Sequence, residues 1–221
     1  MQLAGKSACC YDSNMKTIAI VAQKGGAGKT TLALHVATAA EAAGLPAVII
    51  DLDPQASAAG WGDSREGEAP VVVPLPYTRL AHGLQAATDG GAEIAVIDTP
   101  PHSDGVAIAA IKAADIVLIP CRAGILDLRA IGATAELVAT HQKRAYVVLN
   151  AIPPRATQLL ADAQAAVAQH GLDVAPIALQ QRAAFGHALT VGKTAPEYEP
   201  EGKAAEEVAE LMGWLRAVLP I

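Results

Sequence analysis

The chain has 221 residues, 52% of them hydrophobic but only 3% aromatic, and a net charge of −6. That length suits one domain with a sizeable core of Ala, Val, Leu and Ile, as in a buried parallel sheet under close-packed helices, and the acidic balance excludes a surface coated in basic residues while leaving room for one basic patch. No apolar run approaches the ~20 residues of a membrane span, the N-terminus lacks a signal-peptide pattern, and Cys9, Cys10 and Cys121 make neither a disulfide framework nor a zinc spacing, so a cytoplasmic protein is expected.

Residues 1–14 carry no periodicity and read as a leader outside the core; residues 15–221 read as a single domain. The apolar run Ile18-Ala19-Ile20-Val21-Ala22 predicts a first strand over about 16–22. It leads into Gln23-Lys24-Gly25-Gly26-Ala27-Gly28-Lys29-Thr30-Thr31 and then an alanine-rich helix from about Lys29 to Ala43, stopped by Gly44. Strand, glycine loop and helix in that order are the context of a phosphate-binding P-loop. Glycines let the backbone wrap an anion with its N–H groups pointing inward, and the helix adds its positive end. In such a loop the lysine, here Lys29, reaches the β- and γ-phosphates, and the hydroxyl after it, Thr30, ligates Mg²⁺. Lys24, at the start of the loop, points away from this nest and is placed to reach a nucleotide held by a facing subunit.

A second strand, Ala47 to Leu52, ends in Asp51-Leu52-Asp53-Pro54-Gln55. Alternation puts Asp51 and Asp53 on one side at a strand's carboxyl end, where open α/β sheets bind ligands. Two carboxylates there suit holding Mg²⁺-bound water or orienting the attacking water. Residues 54–70 are small, polar and glycine-rich, with Trp61 as a hydrophobic plug. Val71-Val72-Val73 reads as a short strand and Thr78 to Thr88 as a helix. Ile94 to Ile97 is an apolar strand that runs into Asp98-Thr99-Pro100-Pro101, and Asp98 has the position of a second acidic Mg²⁺ ligand; His102 beside it reads as a surface or capping residue.

Helices follow over Ser103 to Ala113, Asp127 to His141, about Arg155 to His170, Gln180 to Leu189 and about Glu201 to Leu219. Strands lie over Asp115 to Pro120, with Cys121 at the end as a small core residue, Ala145 to Asn150, and Val174 to Leu179, where Pro176 suggests an edge. Asn150 ends its strand with an amide able to pair with an adenine edge, or to start a turn. The strand–helix alternation gives an α/β fold, a doubly wound, mostly parallel sheet flanked by helices.

On Lys24 to Thr30, which reads Lys-Gly-Gly-x-Gly-Lys-Thr, together with Asp51-x-Asp53-Pro-Gln and Asp98-x-Pro-Pro, residues 16–190 resemble the deviant Walker-A ATPases that include ParA, Soj and MinD. The resemblance implies ATP and Mg²⁺ as ligands. It implies contacts to nucleotide from Lys24, Gly25, Gly26, Ala27, Gly28, Lys29, Thr30 and Thr31, and to adenine from Asn150. Thr30, Asp51 and Asp98 would form the Mg²⁺ shell, and Asp53 would position the nucleophilic water. Lys24 would cross a dimer interface to the partner's ATP.

The resemblance further implies an ATP-dependent homodimer on nonspecific DNA of the nucleoid, and a ParB-like or cargo adaptor that stimulates hydrolysis. Plasmids, chromosome origins or protein clusters would be the cargo. Arg182, Lys193, Lys203 and Arg216 are the basic residues available for DNA contact, or are plain solvated charges. The final helix sets Glu206, Glu207 and Glu210 against Lys203 and Arg216, an acidic face that anionic lipid repels, so it is expected to dock on the sheet rather than on a membrane in the MinD manner. A metabolic P-loop ligase of dethiobiotin-synthetase type is the second reading, with no second substrate pocket evident; an iron–sulfur ATPase would need more cysteine than Cys121.

Overall fold

The apolar runs fold as the strands of one sheet in the computed structural model, which describes residues 15–219. The leader reading for residues 1–14, with Cys9 and Cys10, lies outside the described residues. The strands are β1 (Lys16–Ile20), β2 (Ala47–Asp51), β3 (Val71–Pro74), β4 (Ile94–Asp98), β5 (Ile116–Arg122), β6 (Ala145–Asn150) and β7 (Asp173–Val174). They lie in the order β3-β2-β4-β1-β5-β6-β7. Every pairing is parallel, so the sheet expected to be mostly parallel is wholly so among the described residues. The chain winds outward from β1 to β2 and β3, returns to β4, then crosses to β5, β6 and β7. That reversal beside β1 opens a crevice at the carboxyl ends of the central strands.

The helices are α1 (Lys29–Ala42), α2 (Ser57–Ser64), α3 (Leu80–Asp89), α4 (Asp104–Ala113), α5 (Ile125–Thr140), α6 (Thr157–Ala168), α7 (Ala183–Leu189), α8 (Ala195–Tyr198) and α9 (Lys203–Val218). Ile18 and Ile20 of β1 face a core completed by α1, Trp61 of α2 and Leu211, Met212 and Leu215 of α9. Ala19 and Val21 face the opposite core, under α3 to α6. Covering both faces is why the central strands read as continuous apolar runs rather than alternating ones. Helix α1 is buried almost all round, Leu34 and Ala37 as well as Leu32 and Val36, because α9 lies over the side turned from the sheet.

Several boundaries differ from the sequence reading. Residues 57–64 form a helix where only a small, polar stretch was legible, because the burial of Ala58 and Trp61 supplies what the local composition does not. The strand read over Val174 to Leu179 shrinks to Asp173–Val174, since Pro176 has no N–H for the ladder. The helix expected from Gln180 begins at Ala183, and the connection between it and the final helix contains α8, held by a capping box between Thr194 and Glu197. Glu207, counted on the acidic outer face of α9, is turned inward and buried. No helix among the described residues is long and apolar enough to cross a membrane.

Candidate nucleotide site

The loop between β1 and α1 is shaped by its glycines. Gly26 (φ 72°) and Gly28 (φ 97°) both take the left-handed conformation that side chains resist. A Cβ on Gly28 would also overlap the Asn150 amide. Asn150 Nδ2 donates to the Ala27 carbonyl at 3.0 Å, so Asn150 braces the loop from β6. The same amide is the expected adenine contact, and its carbonyl oxygen remains to accept a bond.

The two loop lysines part company. Lys29 is buried, and its ammonium folds back to donate to the Lys24 carbonyl at 3.1 Å. Burial holds its pKa below the usual lysine value, against the pull of Asp98 and Asp53. A desolvated cation at the mouth of an N–H nest suits a polyanion such as a triphosphate. Lys24 leaves the nest and forms an ion pair with Asp127 of α5 at 2.9 Å.

Register brings the acids together. Asp51 on β2 and Ile20 on β1 both lie opposite Asp98 on β4. Thr30 Oγ1 donates to Asp98 Oδ2 at 2.7 Å. The other oxygen, Asp98 Oδ1, is buried with no hydrogen-bond partner. Burial first, then the neighbouring Asp51, pushes the Asp98 carboxyl up to about 7, although the Thr30 hydrogen bond and Lys29 oppose the rise. An orphaned carboxylate oxygen beside a hydroxyl, with a second acid on the next strand, is a hard-oxygen donor set of the kind Mg²⁺ uses together with water and phosphate. Asp51 is engaged by backbone: Oδ1 accepts from Asp53 N–H at 3.0 Å and Oδ2 from Ala59 N–H at 3.1 Å. Each oxygen keeps a second lone pair for a metal-bound water, and burial again raises the carboxyl pKa. Asp53 is half-exposed and accepts from Gln55 N–H at 2.9 Å through one oxygen, which fixes its turn.

Other contacts tie the loop to the segment after β4. Thr99 Oγ1 donates to the Ile20 carbonyl at 2.8 Å. The Gln23 side chain donates to Asp104 at 2.6 Å, and His102 N–H donates to the Gln23 carbonyl. His102 is a turn residue with φ of 53°. Gln23, Asp104 and Asp127 are the site residues that reading the sequence missed. Each is an ordinary polar residue at a helix start or loop, and only the strand order brings them together.

The four basic candidates separate as well. Lys193, Lys203 and Arg216 are exposed. Arg182 is not free: its guanidinium is held by Glu207 through two bonds of 2.8 and 2.6 Å and by Gln180 at 3.0 Å. Cys121 is buried, one residue before the end of β5.

The family model described as the CobQ/CobB/MinD/ParA nucleotide binding domain matches residues 18–195. Among relatives, the chain is 27% identical over 205 residues to the maintenance of carboxysome distribution protein A of Halothiobacillus neapolitanus, covering 89% of this chain and 94% of that protein. It is 32% identical over 160 residues to the protein of the same name from Gloeobacter kilaueensis, covering 71% and 73%. Among solved structures, an ATP complex of McdA from Cyanothece superposes with a TM-score of 0.68 at 21% identity, covering 90% of this chain and 97% of that one.

Proposed function

Because the chain belongs to the CobQ/CobB/MinD/ParA nucleotide-binding family, we propose that it is an ATP-driven positioning switch, a dimer when loaded with ATP and a monomer after hydrolysis. It is an ATPase with ATP and Mg²⁺ as ligands. Lys29 and the loop N–H groups would bind the phosphates, and Thr30 and Asp98, with Asp51 through water, would hold the metal. Bound there, Mg²⁺ would supply positive charge to offset that of the phosphates. Asp53 would orient a water for attack on the γ-phosphorus, so that the bond to the ADP oxygen breaks as the water's oxygen bonds and the water's proton passes to the Asp53 carboxylate or to the phosphate released. Closing a second subunit over the site excludes bulk water, which strengthens each of these contacts.

The observation that carries the switch reading is the division of labour between the lysines. Lys29 already serves the nest, so Lys24, whose ammonium lies outside it on Asp127, can pass to a nucleotide in another subunit once that ion pair opens. A ligase acting alone has no use for a second lysine placed there. The relatives named for carboxysome distribution favour a large protein assembly as cargo, reached through an adaptor protein that stimulates hydrolysis. Lys193, Lys203 and Arg216 are exposed for a nonspecific DNA track over the nucleoid; Arg182, held by Glu207, joins them only if that pair opens. Lipid is the poorer track, because Glu206 and Glu210 remain on the outer face of α9.

Sedimentation tests the reading directly. With ATP, Mg²⁺ and hydrolysis slowed, the wild type should form dimers that shift random DNA, and with ADP neither should occur. Lys24→Ala should bind ATP and remain a monomer. An intact ATP-dependent dimer of that variant would refute the trans-acting lysine.

A further inference from the structure

The first turn of α5 carries features that ATP hydrolysis by one chain does not use. Ile125 and Leu126 are adjacent and 63% and 67% exposed, among the most exposed large aliphatics of the described residues. Asp127 follows them, and its carboxylate turns back over Gly124, close enough to crowd any side chain there. Lys24 reaches this carboxylate across the carboxyl end of β5. No other side-chain partner of Asp127 occurs among the described residues.

We infer that Asp127 is a latch that holds Lys24 within its own subunit, and that the α5 turn bearing it is covered by a second copy of this chain when the latch opens. The inference rests on the dimer reading above and adds what opposes it. Lys24 cannot pair with Asp127 and with a partner's triphosphate at once, so each subunit must give up one ion pair on pairing. The triphosphate offers the lysine a larger charge than a single carboxylate, which sets the direction of the exchange once ATP is present and not before. Asp127 lies in the first turn of α5, within reach of the loop that carries Lys24, and so is placed to recapture Lys24 after hydrolysis. The second copy is the fitting cover for Ile125 and Leu126 because they adjoin Lys24, the group that has to cross. Two aliphatic side chains fall far short of the apolar area a permanent dimer buries, so they support a pairing that ATP must complete.

The size of the effect follows from the exposure of the pair. A partly solvated ion pair shifts an equilibrium by up to about five-fold, and a symmetric dimer opens two latches, so removing the carboxylate tightens dimerisation by up to about 25-fold. The experiment is analytical ultracentrifugation of the full chain with a slowly hydrolysed ATP analogue and Mg²⁺, comparing wild type, Asp127→Asn and Asp127→Ser, with urea unfolding as a check that each is folded. The expected result is a dimer dissociation constant about 5- to 25-fold lower in both variants. A companion Leu126→Ser variant should weaken the analogue-dependent dimer while leaving the monomer as stable as wild type. An unchanged or weaker dimer in the Asp127 variants, with the wild type still pairing, would overturn the latch and keep the switch. A wild type that never pairs would overturn the switch itself. An analogue-dependent dimer as tight in Leu126→Ser as in wild type would remove α5 from the interface.

Discussion

Replacing His35 with glutamine should remove a pH dependence that the fold builds into α1. His35 is fully buried. Its Nδ1–H donates to the Thr31 carbonyl at 2.7 Å, and its Nε2 accepts from the Ala195 N–H at 3.0 Å, so the neutral ring joins α1 to α8. Burial lowers its pKa from 6.5 to about 4, with the Thr31 bond and Glu197 only partly opposing. The unfolded chain therefore takes up this proton first as pH falls, and stability is lost between 6.5 and 4. The loss relative to pH 8 is about 2 kcal/mol at pH 5 and about 3 kcal/mol once both states are protonated. Asp98 acts with the opposite sign in the same window. Its folded carboxyl, raised to about 7, favours the folded state as pH falls, so a single pH profile of the wild type mixes the two.

The difference between wild type and His35→Gln isolates the histidine. Urea unfolding at pH 8 and pH 5 should show the variant less stable at pH 8 by about 1–3 kcal/mol, for one buried partner left unbonded. From pH 8 to pH 5 the variant should lose about 2 kcal/mol less than wild type. Equal losses in the two proteins would refute the assignment of a buried neutral ring.

Other perturbations test the site one link at a time. Gly28→Ala forces a side chain into φ of 97° and against the Asn150 amide, and should cost about 1–3 kcal/mol of stability and abolish binding of a fluorescent ATP analogue; wild-type binding would show that the loop is not the phosphate nest. Asp98→Asn keeps an acceptor for Thr30 but removes a charge that burial disfavours. It should raise the melting temperature in metal-free buffer at pH 8, where the wild-type carboxylate is ionised, and lower Mg²⁺-dependent ATP hydrolysis about 100-fold or more. A lowered melting temperature would refute the strained-carboxylate argument. Arg182→Ala strands the Glu207 carboxylate with the Gln180 N–H alone and should cost about 1–3 kcal/mol in urea unfolding; unchanged stability with lost DNA binding would make Arg182 a DNA contact instead of a structural tie.

Some of this molecule is written in short stretches of chain and some is not. Lys24 to Thr31, Asp51-x-Asp53 and Asp98-Thr99-Pro100-Pro101 were legible because each motif is contiguous, and because strand-then-glycine-then-helix is a local pattern that any sheet position preserves. Fold class followed from the same source, since helices on both faces leave the strands apolar at consecutive positions. The pairs His35 with Ala195, Gln23 with Asp104, Lys24 with Asp127 and Arg182 with Glu207 were not legible. Their partners lie 25 to 160 residues apart, and nothing in an isolated Asp or Glu marks which distant cation or N–H it will meet. Strand order decides that: placing β1 between β4 and β5 sets the P-loop beside the starts of α4 and α5 at once, and so gives one lysine to the nest and the other to a carboxylate on a neighbouring helix.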